Sequence, residues 1–146
     1  MVGSAVRCPG PGHRRLPLVD TIEQVALPGG LTLAGLRHAL RDAGAVFAFL
    51  HGSRTTGSHH PGSDLDVAAW FGRRVGAWEP DLPAGADLLV LDTAGLEVSG
   101  RVAQHGILLL DDDPPLRVAW QADRCKRYLD EAHRRADLVT TVLRRG

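Results

Sequence analysis

Asp64 and Asp66 flank a single leucine in the stretch FAFLHGSRTTGSHHPGSDLDVAAW, residues 47–70. Side chains alternate faces along a strand, so the two carboxylates project together while Leu65 turns to the other, core-facing side. Carboxylates held side by side repel one another unless something neutralises them. A hard divalent cation does this, and Mg²⁺ characteristically takes one or two carboxylates plus substrate phosphates. Gly52-Ser53 precedes the pair by ten intervening residues. Glycine lets the backbone approach a ligand closely, and a serine hydroxyl with successive backbone N–H groups holds phosphate oxygens. Arg54 can add a charge-assisted contact. A phosphate cradle beside a metal-binding carboxylate pair describes a nucleotide–metal site.

A third carboxylate would complete it. Asp87 opens the next apolar run, ADLLVL. If that run is a strand beside the one bearing Asp64 and Asp66, Asp87 converges with them, shares the metal and accepts a proton from an attacking hydroxyl. Asp92 competes for the role but lies at the far end of the same run, facing the other side. His59-His60 reads as an exposed polar loop, His51 as a brace for the loop, and Arg73-Arg74 as a surface turn. Trp70, Trp78 and Trp120 read as core or interface anchors.

These residues need elements to position them. Residues 31–43 have Thr32 as a candidate N-cap, Leu33, Leu36 and Leu40 along one face, and Gly44 as a stop, which predicts an amphipathic helix. The apolar runs 45–50, 65–71, 86–91 and 107–110 read as strands, the first of them buried. The last helix follows Asp111–Asp113 and Pro114-Pro115, where acids complement the helix dipole and proline fits a first turn. Val118, Ala122, Cys125, Leu129, Ala132, Ala136, Val139 and Leu143 form a stripe expected to pack within the fold. Residues 1–30 read as a flexible arm rich in Gly, Pro and Arg, with at most a helical turn over 16–27.

At 146 residues with 44% hydrophobic and 23% charged side chains, the chain fits one globular domain. Charge balances at 17 basic and 17 acidic residues, which argues against a nucleic-acid-coating protein. The balance is uneven. Residues 64–113 hold 10 acids and 3 arginines, suiting bound cations, and residues 114–146 hold 8 basic and 4 acidic residues, suiting an anionic partner. Two distant cysteines, Cys8 and Cys125, make no disulfide framework and no CxxC, which fits a reducing compartment. Neither a signal peptide nor a membrane span is expected, so the protein is read as cytoplasmic.

Gly52-Ser53, ten residues, then Asp64-Leu65-Asp66 resembles the GS-x10-DxD signature of the DNA-polymerase-beta-like nucleotidyltransferase superfamily. Four fixed residues at this spacing arise by chance in a chain this long on the order of one time in a thousand. GSR…G…SDLDVA, the run from Asp87 to Ala94, and Gly100-Arg101-Val102…His105-Gly106 before LLLDDDP resemble the minimal nucleotidyltransferase (MNT) group, over residues 31–143. The resemblance implies an α/β minimal nucleotidyltransferase fold: a small mixed β-sheet, helices packed on one side and a long C-terminal helix over 114–145, all within a domain spanning 31–146. It implies that Gly52 and Ser53 hold a nucleoside triphosphate, and that Asp64 and Asp66 bind two Mg²⁺ ions with Asp87 joining one. Antitoxins of this group move AMP from ATP to a tyrosine of a cognate HEPN-domain toxin ribonuclease and silence it. The expected partners are therefore a HEPN toxin and ATP, with no direct nucleic acid and no membrane. Transfer to a small-molecule hydroxyl such as an aminoglycoside, and an antitoxin acting by binding alone, remain open alternatives. The chain departs from the pattern in its long N-terminal arm and in the Pro/Gly-rich stretch between Asp66 and Asp87.

Overall fold

The structure, a computed structural model, describes residues 22–60 and 62–145. After a 3-10 turn at Ile22–Gln24, the elements run α1 (Leu33–Asp42), β1 (Phe47–His51), α2 (Ser53–Thr56), β2 (Leu65–Trp70), β3 (Ala86–Val90), α3 (Leu96–His105), β4 (Ile107–Asp111) and α4 (Pro114–Arg145). The four strands form one mixed sheet in the order β3-β2-β1-β4. β1 is antiparallel to both β2 and β4, and β2 is parallel to β3. All four strands and the first and last helices fall where the apolar runs predict them. Thr32 caps α1, its hydroxyl accepting from Gly35 N–H at 3.1 Å.

Alternation along β1 and β2 divides the core in two. Ala48, Leu50, Leu65, Val67 and Ala69 meet Leu36 and Leu40 of α1 on one face. Phe47, Phe49 and Ala68 meet Val102 and Ala103 of α3 and Trp120 and Cys125 of α4 on the other. The helices thus cover both faces of the sheet, not one as expected. The reason lies in β1, where residues 47–50 are all buried and therefore need cover on both sides. Val25 is buried in the first core, with Ile22 and Leu27 against it, so the packed chain begins before residue 31. The rest of the expected arm, residues 1–21, lies outside the described residues. Cys125 is buried in the second core; Cys8 lies outside the described residues.

α3 is a helix that the sequence reading did not find, and Gly100 sits at its centre, although glycine disfavours helix interiors. Packing explains that glycine: a Cβ at Gly100 would lie 2.6 Å from the Tyr128 side chain, so its absence lets α3 and α4 approach closely. The expected stripe of α4 is also corrected. Val118 is exposed, while Arg117, Trp120, Gln121 and Cys125 are buried. Arg117 is accommodated by an ion pair to Asp111 (2.9 Å) and a bond to Gln121 Oε1 (3.0 Å), and Gln121 donates to the Ala103 carbonyl (3.2 Å). A paired network lets polar side chains occupy positions that hydrophobicity alone would reject. No helix among the described residues is long and apolar enough to cross a membrane.

Candidate active site

The chemistry-bearing residues gather where β1 ends and β2 begins. In the β1–β2 ladder His51 stands opposite Asp66, and in the parallel β2–β3 ladder Asp66 stands opposite Asp87. Neighbours in register share a face, so His51, Asp66 and Asp87 form one row across three strands. Asp64 lies two residues before Asp66, just ahead of β2, and its charge acts on Asp66. Leu65 is fully buried on the opposite face, as expected. The register thus brings Asp87 to the pair. Asp92 is at the other end of β3, where its carboxylate accepts from Phe71 N–H at 2.8 Å.

Gly52 turns the chain out of β1 with φ 81° and ψ −158°, a combination open essentially to glycine alone. A Cβ there would overlap Oδ2 of Asp66 and lie 3.0 Å from its Cγ. The loop backbone is therefore pressed against the Asp66 carboxylate, and Ser53 follows at the first position of α2. Thr55 fastens this turn, with its amide (3.1 Å) and hydroxyl (2.7 Å) both donating to the Gly52 carbonyl.

Arg54 differs from the sequence expectation. It is 3% exposed, and its guanidinium donates to the Ser63 carbonyl (2.6 and 3.1 Å) and the Ala26 carbonyl (2.7 Å). Those bonds tie both ends of the 52–63 loop to the chain before α1. The side chain is directed to holding the loop, not to the surface where a phosphate would meet Ser53. His59 and His60 lie in this loop; His60 N–H donates to Ser63 Oγ at 2.9 Å.

The site is electrostatically uneasy. Burial pushes the Asp66 carboxyl up; the adjacent His51 draws it down, while the charges of Asp87 and Asp64 push it up again. Burial lowers His51, against the pull of Asp66 and then Asp87. His51 Nε2 is buried without a hydrogen-bond partner among the described residues. Sequence reading treated His51 as a brace; its place in the row follows only from strand register. A row of crowded carboxylates with hard oxygen donors fits a divalent cation that shares its ligands with a phosphate. Among the described residues no group of three or more His, Cys, Asp or Glu side chains is placed to hold a metal ion by itself.

No protein-family model and no curated protein matches the chain. Solved structures do. A toxin–antitoxin crystal structure with AMP-PNP aligns with a TM-score of 0.64 at 21% identity, over 77% of this chain and 99% of that one. An MntA–HepT toxin–antitoxin structure aligns at 0.56 and 17% identity, covering 76% and 96%. A rebuilt structure of a tri-AMPylated Shewanella oneidensis HEPN toxin with its MNT antitoxin aligns at 0.58 and 19% identity, covering 76% and 95%. These neighbours are toxin–antitoxin structures, one of them a HEPN toxin with an MNT antitoxin, and this chain shares their fold, as the Gly52-Ser53 to Asp64-Leu65-Asp66 spacing implies.

Proposed function

We propose that this chain is a Mg²⁺-dependent adenylyltransferase of the cytoplasm that moves AMP from ATP to a tyrosine hydroxyl of a cognate HEPN-type toxin ribonuclease, and so acts as its antitoxin. The observation that carries the reading is the row of Asp66 and Asp87, with Asp64 alongside and the Gly52-Ser53 turn pressed against Asp66, in a chain with the fold of MNT antitoxins. The AMP-PNP and tri-AMPylated-toxin structures among its neighbours support the donor and the product.

Each residue has a physical task in this reading. The Gly52-Ser53 turn receives the triphosphate, with the Ser53 hydroxyl and backbone N–H groups directed to its oxygens. Asp64, Asp66 and Asp87 would hold Mg²⁺, which when bound offsets charge on attacking and leaving oxygens. The tyrosine oxygen attacks the α-phosphorus, its bond to phosphorus forms, the bond to the bridging oxygen of the β-phosphate breaks, and pyrophosphate leaves. Asp87, the most open of the row, takes the tyrosine proton. Arg54 keeps the loop in place. AMP on the toxin adds negative charge where RNA phosphates must approach, which repels the substrate.

The test is intact mass of the HEPN protein after incubation with this chain, ATP and Mg²⁺. AMP adducts that vanish in the Asp64→Ala/Asp66→Ala variant support the reading. An unmodified toxin, still neutralised by that variant, refutes it in favour of inhibition by binding.

A further inference from the structure

We propose that the end of α4, residues 136–145, is a docking surface for an apolar helix with acidic edges on the protein that this chain modifies. The proposal rests on the acceptor being a protein and locates where that protein is held. α4 runs antiparallel to α3: Gln121 bonds Ala103, Tyr128 packs on Gly100, and Arg135 pairs with Glu97 at 3.0 Å. α3 begins at Leu96, so α4 passes the end of its support at Arg135 and continues. The remaining ten residues extend about 15 Å at the rise of an α-helix.

This overhang is not polar. Leu138, Val139, Val142 and Leu143 are 58–75% exposed. Spacings of three and four place them on one face, the same face through which Tyr128 and Arg135 meet α3. The packing stripe of α4 thus outruns the domain that it packs on. A short helical extension in water has little stability of its own, and contiguous exposed apolar side chains mark an interaction surface.

Charge selects the occupant. Arg134 and Arg145 lie along one edge of the stripe, four and seven residues from Leu138. Neither they nor Arg144 has an ion pair among the described residues, whereas Arg135 is taken by Glu97 and Glu131. A second copy pairing antiparallel sets like edges together, so these arginines would face one another. Residues 1–21 carry Arg7, Arg14 and Arg15 against Asp20, the same sign again. A helix whose apolar stripe is bordered by carboxylates satisfies both the stripe and its basic edge.

The test uses the full chain and the cognate HEPN protein, comparing wild type, Leu138→Asp/Val142→Asp and Arg134→Glu/Arg145→Glu. The apolar variant should weaken the complex roughly 30-fold or more, as loss of a central anchor does. The charge variant should slow association and remove its salt dependence. Thermal unfolding and Mg²⁺–ATP binding should stay as in wild type, and AMP transfer should show a raised KM for the acceptor at unchanged kcat. Wild-type affinity in both variants, or no complex with wild type, overturns the docking surface. So does a wild-type dimer by sedimentation that the variants dissolve. A complex that forms and depends on these residues, without AMP transfer, keeps the surface and refutes the proposed reaction instead.

Discussion

Replacing Gly52 by alanine tests whether the site is built by close approach of backbone to carboxylate. Two costs add at this position. The backbone at φ 81° and ψ −158° disfavours any L-residue by about 1–3 kcal/mol. The new methyl also overlaps Asp66 Oδ2, and forcing a packed group aside costs about 1–3 kcal/mol more. Together they give roughly 2–6 kcal/mol of lost stability, or on the order of 5–20 °C in Tm for a chain of this size. Gly57 is the control: φ is 76° and ψ 5°, and nothing lies within 4 Å of a Cβ there, so Gly57→Ala should cost only about 1–2 kcal/mol. Urea unfolding measures both. The two costs separate in a double-mutant cycle, because Asp66→Ala removes the obstructing carboxylate but leaves the backbone strained. Gly52→Ala should then be milder by about 1–3 kcal/mol in the Asp66→Ala background. If Gly52→Ala matches Gly57→Ala, or the cycle shows no coupling, the close-approach argument is wrong.

Three further outcomes follow from the same geometry. Asp66→Asn should raise Tm in EDTA near pH 7, because it removes a carboxylate that burial and its acidic neighbours disfavour; a raised titration in the folded state means that wild type recovers stability as pH falls through it, so the advantage should shrink on acidification, and thermal scans across pH check the sign. Mg²⁺ with ATP should raise Tm of wild type and leave Asp64→Ala/Asp66→Ala unmoved, read by the same scans. Arg54→Ala strips donors from the Ala26 and Ser63 carbonyls and should cost about 2–5 kcal/mol in urea unfolding, with Arg54→Lys restoring little because one ammonium cannot reproduce the guanidinium fork.

Local patterns in the sequence were legible where a single element decides the outcome. Leu36 and Leu40 share a helix face and are buried; Leu65 is buried while Asp66 is half-buried, as strand alternation requires; Thr32 caps its helix. What escaped is set by contacts between elements distant in the chain. No helix was read over 96–105, and its place follows from contact with α4, where Tyr128 needs the missing side chain of Gly100. The stripe predicted for the last helix left out Arg117 and Gln121, which are buried because Asp111 and the Ala103 carbonyl satisfy them. Arg54 reads as a phosphate ligand until the Ser63 and Ala26 carbonyls claim it. His51 acquires its place only from the register of β1 on β2. Asp87 was reachable from the sequence because its convergence needed one added assumption, that β3 adjoins β2, and the ladder supplies it.

The junction of β1 and β2 concentrates features that oppose folding. Gly52 adopts a backbone closed to other residues, Asp66 is a partly buried carboxylate among like charges, and His51 Nε2 is buried without a partner. None is required by the sheet, which would be better served by a short polar turn. They persist because the rest of the molecule over-determines the loop: Arg54 ties it at two carbonyls, Thr55 fastens its turn, and Leu65 and Leu50 anchor the flanking strands in the core. A cation with a phosphate on this row would relieve the repulsion among its carboxylates. Mg²⁺ with ATP bound at this row would therefore add stability, by an amount set by their affinity and concentration, which the thermal scans above test.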